Sequence, residues 1–215
     1  MSVNSTKELK LSEEYDSNKI EVLKGLEPVR RRPGLYLGDL DEPNLTTRLA
    51  FQSLCHAIDE FIEGNCKNIE IRVSDKLVIT KYDVGLPLEP HPAADELPAA
   101  MIFLALHMGC HNHKKNIEVG SELCELGLAT LNGVCSRLFV SVSSKGKFAE
   151  FLFEEGELRN NPTPINTDKE DHTELEVELD DSILVNTNFE ITKIVKEASR
   201  ITEKYSIPIS VEKLS

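Results

Sequence analysis

Between Thr46 and Gly64, the apolar residues Phe51, Leu54, Ile58 and Phe61 recur at spacings of three and four, which predicts a helix over this span. The rhythm then changes. Ile69, Ile71 and Val73 alternate with polar residues, Ser74-Asp75-Lys76 supplies a turn, and Leu77 to Thr80 reads as the returning strand. Leu138, Val140 and Val142 repeat the alternation into Ser143-Ser-Lys-Gly146, Phe148 to Phe153 returns, and Glu154-Glu-Gly156 turns again. Leu175, Val177 and Leu179 mark a further strand. From Asn188 to Tyr205, Phe189, Ile191, Ile194, Val195, Ala198 and Ile201 resume helical spacing, and Ile207 to Val211 closes as a short strand. Pro87 to Gly120 is the least regular stretch and holds one helix near Leu97 to Leu106, followed by a loop. Strands half-buried by pattern and joined by short turns predict an α+β two-layer sandwich, a mostly antiparallel or mixed sheet with helices on one face.

Composition narrows the class. The 215 residues are 40% apolar and 28% charged, ordinary for one soluble domain. A formal net charge of -13 argues against a nucleic-acid surface, which needs clustered Lys and Arg. An acidic surface could mimic DNA toward a basic partner, but keeping the protein soluble is the simpler role for that charge. No window approaches a membrane span, and Met1 to Glu14 is polar and acidic where a signal peptide is basic then apolar. The expectation is a cytoplasmic protein with a flexible head, residues 1–14, and one folded unit, residues 15–215. Cys55, Cys66, Cys110, Cys124 and Cys135 are odd in number and unpaired in spacing, so reduced thiols are expected.

The segment from Tyr15 to Asp39, YDSNKIEVLKGLEPVRRRPGLYLGD, closely resembles the opening of the ATPase subunit of bacterial DNA gyrase and topoisomerase IV. The resemblance runs from Tyr15 through the rest of the chain, in the order of that family's N-terminal ATPase domain, the Bergerat or GHKL fold. It implies a domain without the family's transducer or DNA-cleavage parts. It also implies where an ATP site would lie. The first long helix of the family carries a general-base Glu, a magnesium-binding Asn and an Asp; here those positions read Gln52, His56 and Asp59. Spacing of four and seven would put all three on one helical face. A neutral amide cannot take a proton from an attacking water, and an imidazole is a poor substitute for an oxygen ligand of magnesium.

The family's Asp-x-Gly-x-Gly motif, whose Asp accepts from adenine, corresponds to Lys81-Tyr82-Asp83-Val84-Gly85-Leu86-Pro87. With Gly85 and Pro87 in register, Lys81 takes the Asp position and offers only donors. Asp83 restores an acceptor if the strand slips by two residues. The glycine-rich lid reads Gly120-Ser-Glu122-Leu-Cys-Glu125-Leu-Gly127, with carboxylates at Glu122 and Glu125 that would repel phosphate. Thr173 matches the family's pocket threonine. The resemblance therefore implies a scaffold without its catalyst: no catalytic residues, and neither ATP nor magnesium as a cofactor.

The same resemblance makes residues 15–39 an arm that reaches a partner subunit, with Tyr15, Ile20, Arg30, Arg31 and Tyr36 as contacts. The expected partner is a protein, either a gyrase or topoisomerase IV subunit or a second copy of this chain. The arm covering its own domain is the equally weighted alternative. The altered pocket retaining a nucleotide or another small ligand is the alternative function. Arg30-Arg31-Arg32 reads as structural or interfacial rather than as a nucleic-acid patch. His107, Cys110, His111 and His113 pack four soft-metal ligands into seven residues, yet without a partner knuckle a structural loop is the favoured reading over zinc. Cys110 or Cys124 as a nucleophile with His111 has no support in the flanking sequence. The acidic run Glu174 to Asp181 reads as a solvated strand face.

Overall fold

The computed structural model describes residues 21–106, 119 and 122–214. In chain order the elements are α1 (Glu27–Arg31), α2 (Pro33–Leu37), α3 (Leu45–Gln52), α4 (Cys55–Ile62), β1 (Ile69–Val73), β2 (Val78–Tyr82), a 3-10 turn at Pro92–Ala94, and α5 (Ala100–Ala105). They continue as α6 (Gly127–Gly133), β3 (Cys135–Ser144), β4 (Lys147–Glu154), β5 (Glu157–Leu158), β6 (Ile165–Asn166), β7 (His172–Leu179), α7 (Ile191–Tyr205) and β8 (Ile209–Lys213). The strands form one sheet in the order β5-β4-β3-β7-β2-β1-β8, with β6 also pairing β4. Every pairing is antiparallel except β1 with β8.

Strand parity sets the layers. Ile71, Val78, Val140, Phe151, Leu175 and Val177 are all buried and turn toward the helices, where Leu49, Leu54, Ile58, Ile194 and Ile201 meet them. The intervening positions form an outer face of opposite charges. Arg72 pairs with Glu70 and Glu174, Arg137 pairs with Glu176 and Glu178, and Lys81 lies 3.8 Å from Glu174. The acidic run of β7 is therefore a solvated strand face, as its alternation implies.

The helix expected over 46–64 is broken in two. Ser53 N and Leu54 N donate to Ala50 O and Phe51 O, three residues back, so the chain winds there at about 120° per residue in place of about 100°. Ser53 supplies the cause: its hydroxyl donates to Ala50 O at 2.6 Å and lies 2.6 Å from Thr80 Oγ1 on β2. This contact pins the chain to the sheet at the break between α3 and α4. The return strand also differs from expectation, running from Val78 to Tyr82 rather than from Leu77 to Thr80.

The opening segment folds as two short helices with proline in each first turn, at Pro28 and Pro33. Arg30, expected as a partner contact, points inward instead. Its guanidinium donates to Gly133 O, Cys135 O and, at 2.6 Å, to Asp180 Oδ2. Burial alone would raise the Asp180 carboxyl, but hydrogen bonds from Ser182 and Arg30 outweigh it and hold the group below its ordinary value. Arg31 remains exposed and pairs with Glu21 and Glu27, and Tyr36 is exposed beside Leu35.

Candidate functional site

Gln52 ends α3 and is buried against the lid segment. Its Oε1 accepts from Leu126 N at 3.1 Å and Gly127 N at 3.0 Å, while its Nε2 donates to Leu123 O at 3.2 Å and Arg48 O at 3.3 Å. The amide is thus engaged at both ends. Leu126 and Gly127 open α6, where the first N–H groups of a helix have no intrahelical acceptor, and Gln52 supplies one. Gly127 holds a φ of +78°, a conformation that a side chain at this position would strain.

The three expected pocket residues border two cavities. His56 and Asp59 line a cavity of about 330 Å³ with Val84, Gly85, Phe103 and Lys145. Gln52 lines a separate cavity of about 390 Å³ between α3 and α7, with Thr47, Arg48, Leu123 and Lys193. Gln52 belongs to α3, and His56 and Asp59 to α4. The His56 ring lies 5.6 Å from Phe103, which shares the first cavity, and 5.7 Å from the buried Tyr82, and Asp59 is buried.

Lys81 is absent from that cavity. It belongs to the outer face of the sheet, and Tyr82 is the inward residue at the strand end. The parity counted back from Gly85 fails because the chain bends at Asp83 and Val84 before reaching it. Asp83 makes no acceptor for the cavity either: it accepts from Lys67 N, Asn68 N and Asn68 Nδ2, closing the turn before β1. Burial alone would raise its carboxyl, but these bonds outweigh it and hold the group low. Gly85 and Thr173 do meet. Thr173 Oγ1 donates to Val84 O at 2.8 Å and accepts from Leu86 N at 3.0 Å, clamping the loop, while the missing side chain of Gly85 lets it lie against Ser143 and Ser144. Phe103 and Lys145 line the cavity and Tyr82 packs on His56, none of them marked by a motif in the sequence. Strand alternation through Val78 and Thr80 was the available signal for Tyr82.

The two lid carboxylates meet cations rather than an open phosphate site. Glu122 accepts from Arg200 at 2.6 Å, Lys204 at 2.5 Å and the Tyr205 hydroxyl, all on α7. Glu125 lies 3.6 Å from Arg48. The hydrogen bonds from Lys204 and Tyr205, then Arg200, draw the Glu122 carboxyl down to about 2 from an ordinary 4.5. Its folded value lies below its unfolded one, so the latch adds stability above about pH 4.5 and loses it as the pH falls toward 2. A Glu122→Gln variant is expected to unfold more easily than the parent at pH 7, with the difference vanishing by about pH 2; urea titrations across that range measure it. A difference independent of pH would remove Glu122 from this role.

Tyr15, Ile20, His107, Cys110, His111, His113 and Gly120 lie outside the described residues. Among the described residues no group of three His, Cys, Asp or Glu is placed to hold a metal, and no helix is long and apolar enough to cross a membrane. Cys55, Cys66, Cys124 and Cys135 are buried thiols outside any disulfide. Burial pushes Cys66 up to about 12 and Cys135 higher, so neither is a nucleophile at neutral pH.

No family model matches the chain. The DNA gyrase B subunit of Campylobacter jejuni is 27% identical over 202 residues, covering 92% of this chain and 26% of the relative. The DNA gyrase B subunit of Haloferax volcanii is 32% identical over 146 residues, 67% of this chain and 23% of the relative. The DNA topoisomerase 4 B subunit of Salmonella typhimurium is 28% identical over 189 residues, 86% of this chain and 29% of the relative. The chain spans about a quarter of the length of the curated relatives it matches. Similarity along most of the sequence, carried on an α+β fold with its helices on one face of a mixed sheet, makes this chain a relative of the ATPase domain of the gyrase and topoisomerase IV B subunits.

Proposed function

We propose that this chain is a gyrase-B-like ATPase domain that does not hydrolyse ATP and works by binding protein, either a type II topoisomerase subunit or a second copy of itself. The observation that carries the reading is the engagement of Gln52. The backbone N–H groups of Leu126 and Gly127, at the family's phosphate cradle, already have an acceptor in its side-chain oxygen. The donor set fits ATP and magnesium poorly. Gln52 offers no base, His56 offers an imidazole where the family has an amide oxygen, and Tyr82 and Lys81 put no carboxylate at the strand end. A protein-binding role draws support from the opening segment, the part of the chain that most closely resembles the family, where α2 leaves Leu35 76% exposed beside Tyr36.

Calorimetric titration with ATP and a non-hydrolysable analogue, with and without magnesium, is expected to give no heat. Gln52→Glu is expected to remain without turnover, because one restored carboxylate leaves the strand end and metal position unchanged. Turnover in that variant would overturn the reading. For the partner, light scattering of the chain alone and mixed with a cognate gyrase B subunit distinguishes self-association from a mixed complex. A monomer in both samples would sink the protein-binding role.

The cavity beside His56 favours a second reading, retention of a small ligand. Asp59, Glu60 and Asp171 line it against one Lys145, a balance that suits a cationic or uncharged molecule better than a polyphosphate.

A further inference from the structure

We propose that the groove at the end of the sheet, where β1 and β8 begin and β2 ends, binds a small organic anion with an apolar body. The groove measures about 860 Å³, well within the range of about 300–1,000 Å³ typical of small-molecule sites. Pro208 and Ile209 give it apolar wall, and Lys67, Lys81 and Lys169 reach it from three separate segments.

The ligand class follows from the donors the groove leaves open. Carboxylates outnumber lysines in the lining, four to three, but Asp83 and Asp171 accept backbone N–H groups of the protein. Asp83 holds the amides of Lys67 and Asn68, Asp171 accepts from Lys145 N, and Glu70 pairs with Arg72 at 3.2 Å. Glu170 is the one lining carboxylate whose side chain has no partner among the described residues. The ammonium groups are far less engaged. Lys67 Nζ makes no ion pair among the described residues, Lys81 has a single 3.8 Å approach to a Glu174 already held by Arg72, and Lys169 lies 3.9 Å over the Phe148 ring. A lysine resting on an aromatic face keeps N–H donors for a ligand. Donors at the rim and an apolar wall thus select an acceptor-bearing head on a hydrophobic body. Lys81, Tyr82 and Asp83 border the groove as well as the strand end, but the Gln52 lid contacts that carry the proposed function lie elsewhere, so the two proposals fail separately.

The test uses 8-anilinonaphthalene-1-sulfonate, an aromatic sulfonate that brightens in apolar surroundings, beside the uncharged N-phenyl-1-naphthylamine. One saturable sulfonate site is expected, weakened at least tenfold in Lys81→Gln/Lys169→Gln, with the uncharged probe unaffected by those substitutions. Ser210→Glu, which adds a carboxylate to the groove, is expected to weaken the sulfonate as well. Thermal unfolding of each variant at the parent's midpoint verifies the fold. No saturable site, equal sulfonate affinity in parent and lysine variants, or equal weakening of both probes would overturn the proposal.

Discussion

Gly85→Ala is expected to lower the thermal midpoint by roughly 6–12 °C, the equivalent of about 3 kcal/mol in a chain of this size. A Cβ at this position would lie 2.2 Å from Ser143 O and 2.5 Å from Ser144 Cβ. Both belong to β3, paired on its two sides by β4 and β7, and a backbone oxygen cannot rotate away as a flexible side chain can. Relief has to come from the Val84–Leu86 loop, which Thr173 holds through two hydrogen bonds. Either route breaks contacts the fold depends on. The cavity beside His56 should deform with it, since Val84 and Gly85 form its wall. Scanning calorimetry measures the effect, and a midpoint within 2 °C of the parent would mean that the loop is free to shift.

Gln52→Ala ranks next, with an expected loss of roughly 3 kcal/mol, because an orphaned buried polar group costs about 1–3 kcal/mol and three backbone groups of the lid lose their partner together. These are the N–H groups of Leu126 and Gly127 and the carbonyl of Leu123. The variant should loosen the segment locally before it unfolds globally, so hydrogen exchange at Leu126 and Gly127 is the sharper readout. Gln52→Glu keeps the acceptor but places a carboxylate against the carbonyls of Leu123 and Arg48. Its folded-state pKa should therefore be raised. Its stability relative to the parent should recover as the pH falls, a dependence opposite in direction to that of the Glu122 latch. Unchanged exchange in the alanine variant would show that the lid does not depend on this amide.

The sheet was legible because period-two burial is a local property. Ile69, Ile71 and Val73 announce a strand whatever lies beyond, and Ile194, Ala198 and Ile201 announce the inward face of α7 in the same way. The split of the long helix was not legible, since it depends on Ser53 meeting Thr80, 27 positions away. The two short helices of the opening segment and α6 also escaped, being too brief to show a period. For the site, residue types could be read directly: that Gln52 is no base and His56 no amide follows from the letters. Orientation could not. Lys81 and Tyr82 exchange faces because of a bend two residues later, and the partners of Glu122 come from a helix about 80 positions further along. Arg30 shows the same limit, since its basic neighbours suggested a surface while its guanidinium closes on Asp180, 150 positions away.

The sheet joins distant parts of the chain, with Thr173 holding Val84 across 89 positions near its centre and Ser210 reaching Ile69 across 141 at its edge. The entropy of closing such loops rises only slowly with their length, so the finished structure loses little by them, but contacts this remote slow the search for it. Until β7 arrives, β2 and β3 each present a bare strand edge to any neighbouring molecule. Refolding from denaturant should therefore be slow and its yield should fall with protein concentration, a kinetic liability of a sheet whose central strand comes late in the chain.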